Sequence, residues 1–261
     1  MKKIRIIVLL FCGGLHLTPL FAQSAAFKQA NEQYNKKEYV QAIASYSQLI
    51  ADGCRDAVLY YNLGNAYFKN NQIGQAILWY ERALRLSPNN KDIQYNLAFA
   101  NQQTIDNIEP IPPFFLTTWF LSVQNLFSAK QWAITSIVFC ILLVFCILLI
   151  FITSKYSLRM LSFAFCCLFL LAMALSIVFA SLQTSTLNRT DEGILIESSV
   201  TVKSTPDSSG TDLFTVHEGA KVTITDNAGE WVEVQFDNGN KGWIPEEAME
   251  VISKVGLCRP C

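Results

Sequence analysis

The chain has 261 residues, is 51% hydrophobic and carries a net charge of −1. Its apolar residues are concentrated in a few stretches, which excludes one uniform soluble core, and its charge is divided by region. Residues 23–107 hold eight cations and seven acids, whereas 189–252 hold four cations and thirteen acids, a net −9. So acidic a module repels nucleic acid, whose binding requires Lys and Arg to neutralise phosphates.

The N-terminus reads MKKIR, an apolar run from Ile6 to Phe11, Pro19, and then Leu20-Phe21-Ala22 before Gln23. That layout predicts a secretory signal over residues 1–22, cleaved after Ala22 and too short to span a membrane. Phe11 is bulky where a lipidation signal before Cys12 would need a small residue.

Self-similarity follows at a period of 34: Ala42 and Ala76, Tyr46 and Tyr80, and Ala30 and Gly64 recur at that step. The second copy carries Tyr60, Leu63, Gly64 and Tyr67 on one helix, Ala76, Tyr80 and Ala83 on the next, and Pro88 as its stop. Small residues at those places let two antiparallel helices approach closely while the larger ones fill the gaps. The period and residue set are those of a tetratricopeptide solenoid over residues 23–107. The first copy, about Ser24 to Gly53, is weaker, and the third is a single helix from Lys91 to about Thr104. Two and a half repeats fall short of a stable stack, so the array is expected to lean on a partner, a second copy of itself or the membrane surface.

Phe27, Tyr61 and Tyr95 recur at the 34-residue step, and one turn later come Asn31, Asn65 and Phe99. In a tetratricopeptide array this face lines a concave groove, where Asn amides hydrogen-bond a peptide backbone and aromatic rings give contact area. The candidate groove residues are Phe27, Asn31, Tyr61, Asn65, Lys69 and Tyr95. Asn31 and Asn65 resemble the paired asparagines of carboxylate-binding arrays, but Lys69 is the sole nearby cation. Packing between helices is the competing role for the same residues.

Beyond the array, Pro110, Pro112 and Pro113 stop the helix and stiffen a linker in residues 108–131. Leu116, Trp119, Phe120, Val123, Leu126 and Phe127 then recur at three- and four-residue steps, a stripe suited to the bilayer interface. Residues 132–152 and 161–182 contain no charge, and each is long enough to cross a hydrocarbon core of about 30 Å. They predict a two-helix transmembrane hairpin. Lys155 and Arg159 lie in the intervening 153–160, which places that loop in the cytoplasm. Both soluble parts then face the other side. Of the eight cysteines Cys12 leaves with the signal and Cys140, Cys146, Cys166 and Cys167 lie in the spans, so that Cys54, Cys258 and Cys261 remain. Cys258 and Cys261 have the spacing of a redox motif, with a local disulfide or idle thiols as alternatives.

From about Gly193 to Ile252, β-branched residues alternate, as in Val200-Thr-Val202, Val222-Thr-Ile224 and Val232-Glu-Val234, predicting a small all-β domain within 189–252. Asp226–Gly229 and Asp237–Asn240 read as tight turns. VTVKSTP from Val200, His217-Glu-Gly219, Gly229-Glu-Trp231 and GNKGWIP from Gly239 resemble the bacterial SH3-like barrel family. Trp231 and Trp243 either line a peptide or glycan groove, as that resemblance allows, or fill the barrel core.

The signal, the array with LGNAYFKNNQIGQAILWYERALRLSPNN, the linker IEPIPPFF, the helical hairpin and the SH3-like tail together resemble BatE-type proteins of the Bacteroides aerotolerance operon. The resemblance implies a protein of the bacterial inner membrane, facing the periplasm and working with other Bat membrane proteins, including von Willebrand factor A-type ones, in a stress-linked complex. Only His217 remains for histidine chemistry once the signal is removed, and no Gly-rich phosphate loop with a following Lys is present. The expectation is a scaffold for protein partners with no catalytic residues, no metal and no cofactor. The alternative is a module that binds the cell envelope through its β domain.

Overall fold

The computed structural model describes residues 18–106, 108 and 114–253. The expected signal segment up to Leu17, the three linker prolines and the Cys258–Cys261 tail lie outside the described residues. The chain divides into two compact units, one holding the N-terminal helices together with the C-terminal strands, the other the apolar helices.

In the first unit, five helices follow one another: α1 (Thr18–Asn35), α2 (Tyr39–Ala51), α3 (Ala57–Lys69), α4 (Ile73–Leu86) and α5 (Lys91–Asn101). They form the tetratricopeptide-like region, two helix pairs and a half. Asp56 starts α3 by accepting from the Val58 amide at 2.8 Å, which satisfies one of the orphan donors of a helix N-terminus. The turns within both pairs are equivalent, because Lys37 (φ 64°) and Asn71 (φ 62°) take the left-handed conformation 34 residues apart. Asn adopts it readily, whereas Lys37 does so at a cost. Gly64 is set by close approach: a Cβ there would lie 2.7 Å from the Tyr80 ring.

Seven strands form one antiparallel sheet: β1 (Glu192–Leu195), β2 (Ser199–Lys203), β3 (Asp212–His217), β4 (Lys221–Ala228), β5 (Trp231–Phe236), β6 (Lys241–Pro245) and β7 (Met249–Val251). Their order is β3-β2-β6-β5-β4-β1-β7, an open SH3-like sheet with β3 and β7 at its edges. Alternation places Val200, Val202, Val222, Val232, Val234, Phe236 and Ile244 in one core. The turns after β4 and β5 place Gly229 (φ 70°) and Gly239 (φ 87°) where the left-handed backbone is needed.

The array leans on this β module, a support that the sequence reading did not name. Arg82 of α4, only 4% exposed, donates to the Glu250 carboxylate at 2.8 Å and to the carbonyls of Val251 (2.9 Å) and Ile252 (3.1 Å). Its guanidinium also lies 4.4 Å from the centre of the Trp79 ring. The Gly74 amide donates to Glu218 at 2.9 Å, and Lys221 reaches Glu81 at 3.2 Å and Glu192 at 3.4 Å. Asp106, just after α5, accepts from the His217 amide at 2.6 Å and pairs with its ring at 3.1 Å. Gly219 (φ 89°) sits at the tightest point, where a Cβ would come within 2.7 Å of Thr104 and 2.8 Å of Ile77.

The second unit contains α6 (Phe115–Gln124), α7 (Ala129–Ile152) and α8 (Tyr156–Asn188). A capping box between Ser128 and Gln131 starts α7. Helices α7 and α8 have mean hydropathies of 3.2 and 2.7 over their most apolar windows and leave nearly all of those windows uncovered by protein. Both are long and apolar enough to cross a membrane, as a membrane anchor requires. The connection is Thr153–Lys155, shorter than the expected 153–160, because Tyr156–Met160 contains no helix breaker and joins α8. Arg159 therefore lies on a helix and donates to the Thr153 carbonyl at 2.8 Å. Trp132 is buried: its indole N–H donates to the Gln124 carbonyl at 2.9 Å, and its ring lies 4.9 Å from Phe179. Gln124 in turn donates to Gln183 at 3.0 Å in a buried pair.

Candidate functional site

The odd-numbered helices α1, α3 and α5 bring the groove residues together. Tyr61, Asn65, Lys69 and Tyr95 line one cavity of about 330 Å³ with Phe68 and Phe99. Asn31 lines a neighbouring cavity of about 300 Å³ with Tyr46 and Asn62, and Tyr34 and Asn65 border both. Phe27 lines neither and packs 6.1 Å from Tyr46, as Tyr61 packs 5.9 Å from Tyr80.

The two asparagines are held by one arrangement repeated at the 34-residue step. The Asn31 side-chain oxygen accepts from the Tyr46 hydroxyl (2.6 Å) and the Asn62 amide (3.1 Å). The Asn65 oxygen accepts from the Tyr80 hydroxyl (2.7 Å) and the Asn96 amide (2.9 Å). Packing thus consumes both acceptors. Among the described residues neither Asn31 nor Asn65 donates its own amide N–H, so the groove presents donors, suited to carbonyl or carboxylate oxygens. Tyr95, 71% exposed, and Phe99, 44% exposed, extend the aromatic surface from α5, and Lys69 at the rim supplies positive charge. Asn62, Asn96 and Tyr34 escaped the sequence reading, although Asn62 and Asn96 obey the same 34-residue step.

Burial raises the phenol pKa values on the inner side of this network. The Tyr46 hydroxyl is pushed up to about 12, chiefly by desolvation and then by neighbouring Tyr34. Tyr80 is raised further by the same desolvation, with Tyr61 next in effect. These hydroxyls remain protonated donors at physiological pH, which holds the asparagine oxygens inward.

On the β module the two tryptophans lie outside the core. Val232, Val234 and Phe236 of β5 are buried, while Trp231, Glu233 and Gln235 point to the other face and are half-buried. Trp243 of β6 pairs with Glu233, and Trp231 with Pro245, so both indoles occupy the outer face of adjacent strands. Packing inside the barrel, one of the two roles considered for them, is not where they are. Trp231 walls a cavity of about 660 Å³ with Ile224, Pro245, Met249 and the acidic Glu230, Glu246 and Glu247. Trp243 is not among its lining residues.

Cys54, fully buried, is disulfide-bonded, whereas Cys140, Cys146, Cys166 and Cys167 are free. No group of three or more His, Cys, Asp or Glu that could hold a metal occurs among the described residues.

Comparison with known proteins agrees with this division. No curated protein matches the chain. The TPR repeat family matches residues 64–104, and the bacterial SH3 domain family matches residues 198–250. The chain therefore joins a repeat array and an SH3-like domain, both of them modules of protein interaction, to two helices able to anchor them in a membrane.

Proposed function

We propose that the protein is a non-enzymatic scaffold, anchored in the bacterial inner membrane by α7 and α8, whose repeat array and β module face the periplasm and hold protein partners. Its organisation resembles that of BatE-type proteins, and on that resemblance the partners are other Bat membrane proteins, including those with von Willebrand factor A-type domains, in a stress-linked complex. One observation carries the reading. Asn65, its oxygen held by the Tyr80 hydroxyl and its amide N–H unused among the described residues, lines a cavity walled by exposed Tyr95 and Phe99, and Asn31 repeats the arrangement in the adjoining cavity, a surface suited to an extended peptide.

The orientation is supported by three features. Two crossings return the chain to its starting side, Lys155 and Arg159 lie at the short connection, and disulfide-bonded Cys54 suits an oxidising compartment. Crosslinking in native membranes, followed by identification of the captured proteins, tests the scaffold. Recovery of membrane-complex proteins, lost in a Tyr61→Ala/Tyr95→Ala variant, is expected; equal recovery from that variant rejects the groove.

A second reading, binding of envelope material through the β module, draws on the outward Trp231 and Trp243. Retention of the full chain on purified peptidoglycan, abolished by Trp231→Ala and Trp243→Ala, would favour it.

A further inference from the structure

The cavity beside Trp231 has a specific chemistry. Trp231 opens β5 and pairs with Pro245 at the end of β6, giving an aromatic wall opposite a pyrrolidine ring. Met249 adds apolar surface behind them. The next residue outward on each strand is acidic: Glu230 precedes Trp231, and Glu246 follows Pro245. The Glu246 amide donates to the Glu230 carbonyl at 2.9 Å, which fixes the two acidic residues at the same end of the pair. Glu247 completes the rim in the short 3₁₀ turn Glu246–Ala248.

All three carboxylates are exposed, and none has an ion-pair partner among the described residues. Three other acids of the module are paired: Glu250 with Arg82, Glu192 with Lys221 and Asp212 with Lys203. At the mouth of this cavity the acids are left together, and the surrounding module is itself strongly negative.

We propose that the cavity is a docking site for a Lys or Arg side chain on a basic, extended segment of a protein partner. The methylene stem would lie between Trp231 and Pro245, as long cationic side chains commonly use apolar surface. The charged head would meet the Trp231 face and the carboxylate rim, combining a cation–π contact with charge pairing. The net charge of the module draws a cationic segment toward the mouth and repels acidic competitors. A neutral glycan offers hydroxyl donors to the carboxylates but no charge to neutralise three of them, which is why a basic peptide is the occupant argued for. The proposal rests on the scaffold reading and adds a second, chemically distinct contact to the groove.

The test uses the full chain in detergent micelles and a fluorescein-labelled peptide of alternating Gly and Lys. Its Arg, Glu and acetyl-lysine counterparts serve as controls, with binding followed by anisotropy at low and moderate salt. Lys and Arg peptides are expected to bind, Glu and acetyl-lysine peptides not to, and added salt to weaken binding. The triple variant E230Q/E246Q/E247Q keeps side-chain shape and should weaken binding about tenfold, as should Trp231→Leu with unchanged circular dichroism. Equal binding of the acetylated peptide, or unchanged affinity in the triple variant, overturns the proposal. So does retention on purified peptidoglycan equal in wild type and triple variant without any peptide binding, since the occupant is then uncharged. If the triple variant loses the peptide yet captures the same membrane proteins as wild type, the cavity is confirmed and those partners are held by the groove. If membrane capture fails in every form while the peptide still binds, the scaffold reading falls and the cavity stands.

Discussion

Arg82 and Glu250, 168 residues apart, meet at 2.8 Å where helix α4 joins strand β7. The pair is asymmetric: the Arg82 side chain is 4% exposed and that of Glu250 33%. Arg82 also holds two backbone carbonyls, so its positive charge is satisfied even though it is buried. Arg82→Ala leaves Glu250 and those carbonyls without their donor, and breaking such a buried pair costs about 3–5 kcal/mol. Glu250→Gln should cost less, because the amide oxygen still accepts and the carbonyls keep their donor. Thermal melts of both variants in detergent should rank in that order, and equal losses would show that the ion pair itself dominates.

Because the array rests on the β module, its stability should depend on it. A fragment of residues 23–107 exposes Ile77, Arg82 and the α4 surface that β1, the β3–β4 turn and β7 cover in the whole chain. Its melting temperature is expected to be low and to rise with added fragment 189–252. A high melting temperature indifferent to both concentration and the second fragment would contradict this. Gly219→Val attacks the same junction from the other side, inserting a branched side chain against Ile77 and Thr104 in a left-handed backbone. A loss of about 1–3 kcal/mol in the full chain is expected from overpacking alone.

The 34-residue period was legible because the same contacts recur at that step: Phe27 on Tyr46 as Tyr61 on Tyr80, and Asn31 with Asn62 as Asn65 with Asn96. A periodic sequence advertises a periodic network. The apolar helices were legible for a similar reason, since length and lack of charge alone define them. The junction was not. Gly74, Arg82, Asp106, His217 and Gly219 belong to segments far apart in the chain, each looks ordinary in its own element, and no spacing rule links them. Trp231 and Trp243 were ambiguous because a small barrel has use for large side chains inside. Only the register of β5 and β6 shows that Val232, Val234, Gly242 and Ile244 occupy the core and send the indoles outward.

The first repeat carries a removable strain. Lys37 sits at φ 64° in the turn where the second repeat uses Asn71. A lysine in this region pays a steric cost that asparagine or glycine largely avoids. Lys37→Asn should therefore raise the melting temperature, by about 0.5–1 kcal/mol in stability. Asn71→Lys should lower it similarly, and opposite signs for the two exchanges are the signature to look for.

Alkaline pH should loosen the array before the β module. The ordinary phenol pKa is 10.0, and burial pushes that of Tyr46 up to about 12, with Tyr80 raised further. The folded state therefore holds these protons more tightly than the unfolded state. The stabilisation is complete below about pH 10 and declines as pH rises toward and through the folded pKa, because the unfolded chain releases protons first. Helical circular dichroism should fall above about pH 10, and Tyr46→Phe, which removes the ionisable group, should flatten that fall while lowering stability at neutral pH through the lost bond to Asn31.

Asn65 separates the packing role from the binding role, since its oxygen serves the fold and its amide N–H faces the groove. Asn65→Ala should destabilise by about 1–3 kcal/mol, because the Tyr80 hydroxyl and the Asn96 amide lose their acceptor. Asn65→Asp keeps an oxygen for both donors and removes only the outward N–H, placing a negative charge beside the aromatic wall of Tyr61 and Tyr95. Its melting temperature should stay near that of wild type, while crosslinked capture of partners through the groove falls sharply. Tyr95→Ser offers an independent check, because a side chain 71% exposed contributes little to folding. If Asn65→Asp and Tyr95→Ser both fold normally and both retain full capture, the amide row is part of the helix packing alone and the groove has no ligand.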